Sequence, residues 1–113
     1  MEIANACKKI VHQYVQEIGS MVPTDAFSET QIIVDEQQGH YILLDLGWQE
    51  QRRTYLPFVH IDVKPDGKVW IQHDGTDLDI AQELIQRGIP ASSIVLGFKA
   101  PDIRPFIADF AVA

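Results

Sequence analysis

The run Lys64-Pro65-Asp66-Gly67-Lys68 constrains this chain more than any other feature of its sequence. Proline presets the first corner of a type I turn, aspartate suits the second, and glycine accepts the left-handed position that closes a three-residue hairpin loop. The flanks HIDV and VWIQH alternate apolar and polar residues, so the turn joins two antiparallel strands. In this register Lys64 faces Lys68, and Val63 meets Val69, Ile61 meets Ile71 and Val59 meets His73. A slip of one would set Val63 against Trp70 and Ile61 against Gln72, losing the matched apolar pairs.

The period of two extends from about Thr30 to His73 through the runs QIIVDE, HYILLDLGW, RTYLPFVHIDVK and KVWIQH. Their short connections predict an antiparallel meander of about four strands. Before it the period is helical. Ile3, Cys7, Ile10, Val11, Tyr14, Val15 and Ile18 recur at spacings of three and four, with Gly19 and Pro23 expected to end the helix. After the meander a second helix is predicted, N-capped by Thr76 or Asp77, with an apolar stripe of Leu78, Ala81, Leu84 and Ile85. Arg87-Gly88-Ile89-Pro90 supplies its stop signal. Ile94 to Phe98 reads as a further strand, and the apolar density of FIADFAVA predicts that the tail from Lys99 to Ala113 packs onto the body. The expected fold is therefore α+β, one domain over residues 1–113.

Nine Lys and Arg against 16 Asp and Glu give a formal charge of −7, a balance that repels phosphate backbones. Direct DNA binding would need Lys8, Lys9, Arg52, Arg53, Lys64, Lys68 and Arg104 to gather on one surface despite that total. No apolar run reaches the roughly 18 residues of a membrane span, and MEIANACKKI lacks the pattern of a signal peptide, so a cytoplasmic location is expected. Cys7 is the single cysteine and falls within the helical stripe, where a thiol fills core space.

His60, Asp62, His73 and Asp74 are residue types that bind zinc or iron when they converge. The hairpin register directs His60 and His73 to opposite faces, so no metal site is assigned. The same register puts Leu56, Phe58, His60 and Asp62 on one face beside Trp70 and Gln72, a mixture suited to a protein contact or a ligand cleft. His60 with Asp62 is the one same-face pair fit for acid–base work. No nucleophile elbow, glycine-rich phosphate loop or paired thiol is present, and Asp74, Asp77, Asp79 and Glu83 lack the spacing of a calcium loop. No catalytic residue, cofactor or metal ligand is assigned.

The words LLDLGW, Arg53, HIDVKPDGKVWIQHDGTD, IAQELIQRGIP, SSIVLGF and the closing FAVA resemble, in order, those of the XisI family. That resemblance implies a part in programmed excision of the fdxN element during heterocyst development in cyanobacteria, alongside a site-specific recombinase and a companion called XisH. It brings no catalytic residues. With the acidic charge, it points to a regulatory, non-enzymatic protein acting through XisH or the recombinase, with Trp48, Arg53, Phe58, His60 and Trp70 as the contact surface. The alternative is a small-ligand protein or enzyme with an enclosed pocket near His60, Asp62 and Gln72. Self-association through sheet edges or the apolar tail is a further expectation.

Overall fold

A computed structural model describes residues 2–23 and 25–112. The first helix, α1 (Glu2–Met21), buries Ala4, Cys7, Val11, Tyr14, Val15 and Ile18 along one face. Each fully buried aliphatic chain contributes roughly 1.5–3 kcal/mol, so this stripe, rather than helix propensity, fixes α1 on the sheet. Ile3, expected in the stripe, is exposed. Gly19 does not end the helix. A Cβ there would come within 2.7 Å of the Ile32 side chain, so the glycine permits close approach to the sheet, and α1 runs on to Met21.

The sheet contains β1 (Ser28–Asp35), β2 (His40–Gln49), β3 (Arg52–Val63), β4 (Val69–Asp74) and β5 (Ile94–Leu96), in that spatial order. The first four strands form the expected antiparallel meander, and β5 joins β4 in parallel. A parallel partner needs a crossover, which α2 (Ile80–Gln86) and its flanking loops provide. Ile80, Leu84 and Ile89 share one core with α1 and with Tyr41, Leu43, Val59, Ile61, Val63, Val69, Ile71 and Ile94. Both helices thus cover the same face of the sheet. No helix among the described residues is long and apolar enough to cross a membrane.

The N-cap of α2 is Asp79, whose carboxylate accepts from Gln82 N–H, and not Thr76 or Asp77. Asp74 causes the later start. Its carboxylate accepts from the Thr76 amide, the Thr76 hydroxyl and the Ile80 amide, winding residues 75–79 into a loop. Leu78 is consequently exposed ahead of the helix, and Ile80 enters the core in its place. The stop signal works as expected: Ile89 N–H reaches Leu84 C=O and Gly88 N–H reaches Ile85 C=O, the paired bonds of a Schellman ending. Arg87 then ties α2 to α1, with a two-pronged bond to Glu17 (2.9 and 2.8 Å), a bond to Glu83 (2.9 Å) and its guanidinium 4.4 Å from the Tyr14 ring centre.

The tail beyond β5 packs through part of its apolar residues: Ile107 and Phe110 lie against the core and Ala111 N–H bonds to Ile94 C=O in a parallel bridge beside β5, while Ile103, Phe106 and Val112 are exposed. Ala113 lies outside the described residues.

Candidate functional site

The helix-free face of the sheet carries the candidate site, and two β-bulges determine what it displays. The hairpin pairs Val63–Val69 and Ile61–Ile71 form as read from the sequence, but the next pairs are His60–His73 and Val59–Asp74. Gln72 is the extra residue. The shift overturns the expectation that Val59 meets His73 and that His60 and His73 point to opposite faces, because directly opposed residues share a face.

A second bulge lies between β2 and β3, where Leu43 pairs with Val59 but Leu44 pairs with Pro57. Phe58, left unpaired, packs against the helix-side core, so Phe58 is not on the His60 surface. The expected alternation of Leu56, Phe58, His60 and Asp62 on one face is therefore wrong. Below the bulge Tyr55 and Arg53, opposite Leu46 and Trp48, occupy that face instead.

The predicted residues consequently separate into groups. At the tip of the β2–β3 hairpin, Arg53 stacks over Trp48 (5.2 Å) and Tyr55 (5.9 Å), and these aromatic residues are 53% and 63% exposed. Near β5, Trp70 is half-buried, with Arg104 5.1 Å and Lys64 5.9 Å from its ring centre. Arg104 is held over the ring by bonds to the Lys99 and Gly97 carbonyls, so the tail covers part of this surface.

Between these groups lies Asp62, the one buried charged residue among those described, at 6% exposure. Its Oδ1 accepts from His40 Nδ1 (2.7 Å) and His60 Nε2 (2.9 Å), and its Oδ2 accepts from Gln72 Nε2 (3.2 Å). Burial pushes the carboxyl up, but the bonds from His40, His60 and Gln72 and the charge of His60 outweigh it and hold it below the ordinary carboxylate range. Sequence reasoning missed His40. The β2–β3 pairing sets it directly opposite Asp62, beyond the reach of the Pro65-Asp66-Gly67 hairpin from which the face was read.

His40, His60 and Asp62 present ligand atoms that all lie within 4.8 Å of one another; His73 and Asp74 are outside this group. Asp74 is occupied in the loop before α2. Among the described residues, concavities lie on the α1 side beside Lys8, His12 and Glu36, near the hairpin tip beside Asp25, Trp48 and Arg53, and at the β2–β3 turn beside Gln49 and Arg52; none of these is lined by His60, Asp62 or Gln72. Cys7 is buried with its thiol pushed up by desolvation, the state of an inert core residue. The cations are spread over several elements: Lys8 and Lys9 ride on α1, Arg52 and Arg53 open β3 with Arg53 over Trp48, and Lys64 and Arg104 flank Trp70.

The family described as XisI protein matches residues 1–112. Among solved structures, a XisI-like protein from Anabaena variabilis is 37% identical, with 94% of this chain and 95% of that one covered and a TM-score of 0.88. The fdxN element excision controlling factor XisI from Anabaena variabilis is 29% identical over the whole of both chains, with a TM-score of 0.76. No curated protein matches the chain.

Proposed function

Since the chain belongs to the XisI family, we propose that it is an accessory protein controlling excision of a DNA element, and that it acts by binding a protein, an XisH-like companion or the recombinase, rather than DNA. The observation that carries this reading is the exposed cluster of Trp48, Arg53 and Tyr55 on the helix-free side of the sheet. Tryptophan, tyrosine and arginine are the residue types that dominate binding energy at protein interfaces, because they bring large contact area with few rotors and one polar end each. The net charge of −7 favours a protein or cationic surface over a phosphate backbone. A controlling role also needs no catalytic residues.

Trp70, partly covered by the tail, is a poorer probe than Trp48. Coexpression with an XisH-like protein, followed by measurement of the mass of the complex, tests the partner. Trp48→Ala with Arg53→Ala is expected to weaken a complex at least tenfold while leaving the thermal midpoint of the free chain nearly unchanged. A doubly substituted chain that binds as tightly as the original removes this surface from consideration, and no complex with either partner removes the reading itself.

A further inference from the structure

We propose that His40, His60 and Asp62 form a binding site for one divalent transition-metal ion of the zinc class, with the remaining coordination position open to solvent. The argument begins with Asp62. A carboxylate this buried ordinarily lies against a lysine, an arginine or a metal, since an isolated buried charge is costly. Among the described residues its ion-pair partners are two imidazoles, His40 and His60, and no lysine or arginine.

The geometry admits an ion with little movement. The Nδ1–Oδ1 and Nε2–Oδ1 separations are 2.7 and 2.9 Å. Around tetrahedral zinc, with bonds of about 2.0–2.1 Å, ligand atoms lie about 3.3 Å apart, so each imidazole needs to withdraw from the carboxylate by only about half an ångström. The two rings meet edge to face, 6.4 Å between centres and 73° between planes, which lets both nitrogens aim at one point. Gln72 holds the second carboxylate oxygen, the kind of outer support that fixes a ligating carboxylate. His40 is nearly half exposed and His60 about one-third, so the remaining position faces water. Two imidazoles and one carboxylate suit zinc and its neighbours better than calcium or magnesium, which prefer all-oxygen shells.

The test titrates chelator-treated protein with Zn2+ by calorimetry and with Co2+ by visible absorption, whose ligand-field bands report coordination. One ion per chain is expected, with micromolar or tighter affinity for Zn2+. His40→Ala and His60→Ala should each weaken it at least about 100-fold, and Gln72→Leu about 10-fold. His12→Ala and His73→Ala should leave it unchanged. His40 is exposed enough for its substitution to leave the fold intact, which keeps the test decisive if the His60 variant unfolds. Absence of Zn2+ binding at 100-fold excess, or binding that survives His40→Ala, would overturn the proposal and leave the cluster as a metal-free hydrogen-bond network.

Discussion

Replacing Asp62 by asparagine keeps its shape and removes its charge, and the consequences can be worked through bond by bond. The amide oxygen can still accept from His40 and His60, but each bond loses a charged acceptor, a difference of about 1 kcal/mol per bond. The amide nitrogen would meet the Gln72 nitrogen donor to donor, so that bond, worth about 1 kcal/mol, is lost unless Gln72 turns over. Release from the cost of burying a charge offsets part of the total. The net expectation at pH 7 is about 1–3 kcal/mol of destabilisation, or about 4–12 °C in Tm for a domain of this size. The pH dependence is distinctive. Because the Asp62 carboxyl is depressed in the folded state, its stabilisation is complete above the unfolded value near 4 and is lost as pH falls through the lower folded value. Urea unfolding of both proteins with a chelator present should show a full gap from pH 7 to about pH 5, narrowing from about pH 4 downward. An asparagine variant as stable as the original at pH 7, or a gap that persists undiminished to pH 3, would show that the Asp62 charge does not stabilise the folded chain.

Other perturbations are equally direct. Gly39→Ala should cost at least about 2 kcal/mol in urea unfolding, because the residue has φ of 77° and its Cβ would lie 2.2 Å from the Val63 carbonyl oxygen. Arg87→Ala should lower stability by about 1 kcal/mol, and an effect that largely persists in 1 M salt would mark the stacking on Tyr14 rather than the screened pairs with Glu17 and Glu83. Tyr41→Phe should be neutral or stabilising in thermal unfolding, since the buried hydroxyl has no hydrogen-bond partner among the described residues; a loss near 1 kcal/mol would show that it bonds nearby Glu36.

Much of the fold was legible because local signals agreed with one another. The turn after Val63, the stripe on α1 and the ending of α2 each rest on residues whose chemistry leaves few options. The site was less legible because it depends on parity across bulges. The β2–β3 turn places Gln49 opposite Arg52, and counting inward from there sets His40 opposite Ile61, hence on the helix-covered face. The extra residue at Phe58 moves the partner to Asp62 and assembles the cluster. Neither Phe58 nor Gln72 is a residue that marks a bulge; long-range pairing and packing select both. The cap of α2 falls at Asp79 rather than Thr76 or Asp77 for a related reason: Asp74 organises the loop that delays the helix start, through bonds that only the folded chain brings together.

The sheet also has two unlike borders. Ala111 occupies part of the outer border of β5, whereas β1 ends the sheet order with no strand beyond it among the described residues. Strand addition from outside therefore has one principal lane. Two copies meeting there about a twofold axis would each consume the lane they offer, leaving none for a third. By that route growth would stop at a pair, and an open-ended ribbon would require displacement of the tail first.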